Sequence, residues 1–285
     1  MKPITIIVDG KQIEYFQFGN LKNPPLLFLH GFHGNAQEIT SISQYLAQIF
    51  CVYSPNLPGF GVSSDLGMSF NVDNCAILME KFLKKLGLKS FYLGGISLGG
   101  TIATKMFLSE VGKVEGLILL HPLFCGDHIK MNSSQRKKIL SFITLMQNPL
   151  LAKTIVPFIF YNDSLMKYIL QKFSETRITS QNMRTRIRCI RSCSPLTYIN
   201  GLKSLLTHTP LQPIPIPCKT LLFLNPVDSV IDPNKTYLSF QKLFPKANKV
   251  DFVMENHHPE VIPTLSELQA KYPQILSEIK MWLQN

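Results

Sequence analysis

A chain of 285 residues with 45% hydrophobic and 10% aromatic content can bury a sizeable core, which excludes an intrinsically disordered protein. No run approaches the ~18 consecutive apolar residues of a membrane span, and the opening MKPITIIVDG holds an apolar run too short and too soon interrupted, so no signal peptide is expected. The net charge of +11 is concentrated: residues 123–217 hold thirteen Lys and Arg against three acids, and the remainder is close to neutral.

Residues 4–8 and 13–18 are short β-prone runs separated by Asp9-Gly10, a hairpin signal. Residues 26–29 form a compact apolar run that ends in the glycine turn HGFHG. A helical pattern over 36–48 precedes an apolar run at 51–54. Over 72–86 the residues Cys75, Leu78, Met79, Phe82 and Leu86 share one face of a predicted helix. Residues 91–93 and 117–120 read as buried strands with a helix over 98–108 between them. Continuous apolar strands alternating with helices predict an α/β fold, a mostly parallel central sheet covered by helices on both faces. The N-terminal hairpin is expected at its edge.

The rhythm stops at Pro122. From there to about residue 209 the pattern is helical and basic, with no good strand, and LQPIPIP follows as an extended tether. Strand character returns at 219–224 and 249–254, with a helix over 233–244 and a helical C-terminus over 263–283 interrupted at Pro273. This predicts a core of residues 1–122 and 218–285 interrupted by an inserted helical cap of residues 123–217. The six cysteines show no C-x-x-C pair and no clustered ligands, so neither a zinc site nor any other metal or cofactor is expected, and free thiols suit a cytoplasmic protein.

Gly95-Ile96-Ser97-Leu98-Gly99 is a G-x-S-x-G pentapeptide between a predicted strand and a predicted helix. A nucleophile on that turn is lifted clear of the sheet, and the helix N-terminus offers N–H groups to a developing oxyanion. HGFHG can present a second oxyanion donor, and His30 reads as a structural residue of that turn. Asp228 follows the strand at 219–224, and His257 and His258 follow the strand at 249–254. Asp232, just before Pro233, is the better helix-capping candidate, which leaves Asp228 for chemistry. The order Ser, acid, His, each beyond a strand end, suits nucleophilic catalysis. His33 is expected near the pocket mouth, while surface or cap positions are expected for His121, His128 and His208.

The motifs HGFHG, NLPGFGVSS, GGISLGG, PVDSVIDP and NHHPEV resemble the α/β-hydrolase superfamily, in its helical-cap branch of esterases, thioesterases and carbon–carbon bond hydrolases. The resemblance covers about residues 10–122 and 218–283. It implies Ser97 as nucleophile, Asp228 as acid and His257 as base, with Phe32 and Leu98 supplying the oxyanion N–H groups. His258 is the alternative base. Two positions depart from the family pattern: Asn56 stands where Asp is usual, and Asn256 where glycine usually precedes the histidine.

The implied reaction is hydrolysis of a carboxylic ester or thioester, on a small or acyl-chain substrate, through an acyl enzyme. A carbon–carbon bond hydrolase with the same triad is the alternative, with Arg188 or Arg191 available for a substrate carboxylate. A non-catalytic ligand-binding protein is a third reading. The Met and Phe residues of the insertion, among them Phe142, Met146, Phe158, Phe160, Met166 and Phe173, read as helix packing or as a lipid-facing cap. The basic cap reads as a solvated surface, as a site for an acidic partner or anionic substrate, or as a contact for anionic membrane. Nucleic acid is not an expected partner, since no aromatic-interleaved platform accompanies the charge.

Overall fold

The computed structural model describes residues 2–32, 34–109, 113–173, 180–209, 218–253, 257 and 263–284. Eight strands form one sheet: β1 Ile4–Val8, β2 Lys11–Phe18, β3 Pro25–Leu29, β4 Cys51–Pro55, β5 Ser90–Ile96, β6 Lys113–Leu120, β7 Thr220–Leu224 and β8 Asn248–Asp251. Their order across the sheet is β1-β2-β4-β3-β5-β6-β7-β8. The predicted hairpin lies at one edge, turned by Asp9 (φ 48°) and Gly10 (φ 72°), and β2 runs antiparallel to β4. From β4 onward every pairing is parallel.

Strand side chains alternate between two cores. Leu27, Leu29, Leu93, Leu119 and Leu222 face one side, where α2 (Val72–Lys85), α3 (Leu98–Leu108) and α9 (Pro233–Leu243) cover them. Leu26, Phe28, Ile118, Leu120, Leu221 and Phe223 face the other, under α1 (Thr40–Leu46), α10 (Leu265–Lys271) and α11 (Gln274–Gln284). Two buried faces explain why these strands read as unbroken apolar runs rather than as alternating ones.

Helices α4 (Ser133–Met146), α5 (Pro149–Tyr161), α6 (Asp163–Phe173), α7 (Ser180–Ile190) and α8 (Pro195–Thr207) lie between β6 and β7, as the expected helical insertion. They carry two small apolar clusters of their own, one around Ile139, Ile143, Val156 and Ile199, the other around Phe160, Met166, Met183 and Ile187. Yet β6 and β7 are neighbours in the sheet, with Leu117 opposite Thr220, so the insertion leaves the register intact.

Boundaries shift where local polar groups intervene. The helix expected over 36–48 is confined to α1, because Asn56 Oδ1 takes the Ala36 N–H at 2.7 Å and Asn35 closes a turn on Glu38. The insertion also holds two isolated bridges, Ile129 with Ile231 and Phe60 with Cys193, which tie it back to the sheet domain. The C-terminal helix breaks at Pro273, between α10 and α11. The proline-rich segment 210–217 and the end of the last expected strand, at Met254, lie outside the described residues.

Candidate active site

Ser97 occupies the turn between β5 and α3 with φ 50° and ψ −116°, a left-handed backbone that a non-glycine residue holds at a cost of about 1–3 kcal/mol. The flanking glycines make the turn sterically feasible. A Cβ on Gly99 would run into the Leu29 and His30 carbonyls, and one on Gly95 into the backbone of Gly99 and Gly100. The Ser97 N–H donates to the Leu120 carbonyl at 3.0 Å, locking the turn to the end of β6.

His257 and Asp228 arrive from beyond the ends of β8 and β7. His257 Nε2 lies 3.2 Å from Ser97 Oγ, and His257 Nδ1 lies 2.6 Å from Asp228 Oδ2. Asp228 Oδ1 accepts the N–H groups of Val230 and Ile231 at 2.8 and 2.9 Å, so both carboxylate oxygens are engaged and the side chain cannot rotate freely. Burial acts to raise the Asp228 pKa. The hydrogen bond and charge of His257, with the Ile231 and Val230 amides, outweigh it and hold the carboxyl below its ordinary value. With the carboxylate ionised, Nδ1 carries the proton and Nε2 faces the serine as acceptor. All three side chains are buried, at 8%, 2% and 3% exposure for Ser97, Asp228 and His257.

Phe32 lies just past β3 and Leu98 is the first residue of α3. The contact of Gly99 with the Leu29 and His30 carbonyls brings these two turns side by side. The Phe32 ring stacks on Tyr198 of α8, with centroids 5.4 Å apart. Gly201 of α8 has no room for a Cβ against that ring. The insertion therefore sits directly on the turn beside the serine.

His30 is the structural residue expected of its turn: Nδ1–H donates to the Gly31 carbonyl at 2.8 Å and Nε2 accepts the Leu57 N–H at 3.0 Å. Burial lowers its pKa to about 4, against the Gly31 hydrogen bond. Asp232 caps α9, accepting from Asn234 and Lys235. Asn56, the departure from the family pattern, is buried with Glu14. Its Nδ2 donates to the Glu14 carboxylate, and Oδ1 holds Ala36. An Asp there would set a second carboxylate against Glu14, so the amide is the form this pocket accepts.

One expectation changes. His121 is not a surface or cap residue: it is buried at the end of β6, with φ 45°. Its Nδ1 accepts the Asn225 N–H at 3.0 Å, its ring stacks on Phe252, and its centroid is 6.2 Å from that of His257. No spacing rule connects residue 121 to residue 257; only the side-by-side order of β6, β7 and β8 in the sheet does. His128 lies within the insertion as expected and is buried there, against Thr236 and Ser239 of α9. Lys130 is a further residue that the sequence did not single out. Its ammonium donates to the main-chain oxygen of Asp228 at 2.6 Å. Arg191 is engaged inside the insertion by the Phe160 carbonyl and Asp163, and Arg188 is exposed beside Glu38. His33 and His258 lie outside the described residues.

Comparison with known proteins agrees with this geometry. A family model described as alpha/beta hydrolase fold matches residues 24–259. Lipase 3 of Moraxella sp. (strain TA144) is 26% identical over 274 residues, 92% of this chain and 80% of its own length. Lipase 1 of Psychrobacter immobilis is 29% identical over 196 residues, 66% of this chain and 59% of the lipase. Among solved structures, a thermophilic esterase from Thermogutta terrifontis superposes with a TM-score of 0.68 at 18% identity, covering 100% of this chain and 98% of the esterase. A haloalkane dehalogenase from Bradyrhizobium elkani gives a TM-score of 0.67 at 17% identity, covering 99% and 97%. Such different reactions on one backbone mean that these likenesses carry the fold alone. The matched family span, the sheet order and the serine on its strained strand-to-helix turn together make the chain a member of the α/β-hydrolase-fold family.

Proposed function

We propose that the protein is a serine hydrolase that cleaves a carboxylic ester or thioester through an acyl-enzyme intermediate. The observation that carries this reading is the relay from Ser97 Oγ to His257 Nε2 at 3.2 Å and from His257 Nδ1 to Asp228 at 2.6 Å. His257 takes the hydroxyl proton as Ser97 attacks the carbonyl and returns it to the leaving group. A water then repeats the sequence and frees the acid. Asp228 keeps the imidazole in the productive tautomer and stabilises its charged form. The N–H groups of Phe32 and Leu98 are assigned to the oxyanion, the second of them because a first-turn amide has no intrahelical acceptor. Each such donor contributes about 3–4 kcal/mol in the transition state.

Residues 123–217 act as the cap that shields this step from bulk water, a reading supported by the stacking of Tyr198 on Phe32. A small or acyl-chain substrate is the class we assign. A reducing, cytoplasmic setting is assigned on the six free cysteines. Labelling by a fluorophosphonate, followed by turnover of a short p-nitrophenyl ester, tests the whole assignment. Ser97→Ala loses labelling and at least about 10⁴-fold in kcat, and Asp228→Asn falls by about 10⁴-fold. Full turnover in Ser97→Ala would refute it.

A further inference from the structure

Helix α5 is apolar on both sides. Ala152, Val156 and Phe160 form its buried stripe, while Leu150, Thr154, Phe158 and Tyr161, spaced by four, four and three residues, form an opposite one that faces out. Leu150, Phe158 and Tyr161 are 70%, 62% and 63% exposed. Thr154 returns its hydroxyl to the Leu150 carbonyl at 2.8 Å, so the stripe presents no unsatisfied hydroxyl. Leu145 on α4 and Tyr168 on α6 extend the exposed apolar set to either side. A monomer gains nothing by leaving so many large apolar groups on one helical elbow in water.

The charge around this elbow has one sign. Over residues 133–173 there are six Lys and Arg against one acid, Asp163, and that acid is already paired with Arg191 at 2.7 Å. Lys137, Lys138, Lys153, Lys167 and Lys172 are all exposed. Among the described residues no single helix is long and apolar enough to cross a membrane. Helices α4 and α5 together have the length and composition, but they are bent by 114°. Ile139, Ile143 and Met146 of α4 and Val156 of α5 share one cluster with α8, and Phe160 packs with α6 and α7, so this elbow is held on protein and suits resting on a bilayer rather than threading it.

We propose that the α4–α6 elbow is a docking surface for an anionic lipid interface, with Leu150, Phe158 and Tyr161 entering the headgroup region and the surrounding lysines facing lipid phosphates. Apolar anchors ringed by flexible cations match the two attractions such an interface offers, burial of apolar area and counter-charge. An acidic protein would be met by the cations alone and leaves the apolar stripe unexplained.

Sedimentation of the full chain with vesicles of equal parts phosphatidylcholine and phosphatidylglycerol tests the surface. Wild type is expected to co-sediment with these vesicles and far less with phosphatidylcholine alone. The double variant Phe158→Glu, Tyr161→Glu is expected to lose about tenfold or more in binding, and Lys153→Glu, Lys167→Glu a comparable amount. All of these side chains are exposed, so folding and turnover of a water-soluble p-nitrophenyl ester stay at the wild-type level. Ser97→Ala binds vesicles as wild type does, which separates this surface from the catalytic assignment. The proposal is overturned if wild type ignores anionic vesicles or if the Phe158, Tyr161 variant binds undiminished. It is equally overturned if wild type is a dimer that the same variant converts to monomer, since a second copy would then cover the stripe.

Discussion

Beside the imidazole that moves the proton stands a second one that must not. His121 presents Nδ1 as an acceptor to the Asn225 N–H, and burial, with the nearby His257 adding to it and Asp228 opposing, pushes its pKa down to about 3. It therefore stays neutral while anchoring the loop that carries Asp228. His121→Leu removes that acceptor and is expected to lower kcat by about 10- to 100-fold through displacement of the acid, with KM little changed. His121→Asn, which keeps an acceptor near the same place, should recover most of the loss. Two of the deeply buried neutral histidines, His30 and His121, also set an acid limit. His30 and His121 bind protons in the unfolded chain below about 6.5, but in the folded chain only below about 4 and about 3. Stability is therefore full above 6.5 and falls as pH drops through that window, by about 2–3 kcal/mol per histidine at pH 4.5. Urea midpoints at pH 7 and 4.5 measure it, and His121→Asn should show the shallower fall. At Asn56, substitution by Asp is expected to destabilise the protein by about 2–3 kcal/mol at neutral pH, with recovery when Glu14→Gln is added. Equal thermal midpoints for Asn56→Asp and wild type would contradict this account of the pair.

At the scale of elements, the insertion is fastened to the sheet by a few polar joints. Asp65 takes most of one of them. Its carboxylate accepts the Ser194 hydroxyl, the Thr197 hydroxyl at 2.7 Å and the Gly67 N–H at 2.7 Å. Ser194 in turn caps α8 by accepting the Thr197 N–H. Asp65→Ala leaves these donors without their acceptor and is expected to cost about 2–3 kcal/mol, with a rise in KM as α8 loosens over Phe32. Gly59, at φ 78°, lies so close to the Thr197 side chain that any Cβ would displace α8 from the same side. On the other flank, the bridge between Ile129 and Ile231 and the contact of Lys130 with the Asp228 carbonyl tie the start of the insertion to the acid loop. The insertion is thereby fastened beside Phe32 on one flank and to the loop of Asp228 on the other.

Across the whole molecule, the apolar cores differ in size and so in resistance to opening. The two sheet faces hold most of the large buried side chains, including Phe28, Phe82, Phe223 and Phe240, while among the described residues each cluster of the insertion has five or six buried members. Native-state hydrogen exchange in low denaturant should therefore release the amides of α6 and α7 before those of β5 and β6. Ile187→Ala should speed the first without touching the second, and Phe28→Ala should lower global stability by about 3–5 kcal/mol. Simultaneous release of both sets would show that insertion and sheet unfold as one unit.

The nucleophile turn, the strand order of Ser, acid and histidine, the hairpin at Asp9-Gly10 and the helical insertion were all legible in the amino-acid string. Each depends on local chemistry: glycines where backbone crowds, apolar runs where both faces are covered, a two-residue turn with positive φ. What the string left open were relations between segments far apart. His121 beside His257, Glu14 beside Asn56 and Lys130 on the Asp228 carbonyl exist only because the folded chain brings distant segments together. The apolar residues of the insertion divide the same way: Met146, Phe160 and Met166 point inward, whereas Phe158 points out. Periodicity marks a face as apolar, but which face meets protein and which meets solvent is settled by the neighbours it packs against, and those are a property of the folded chain.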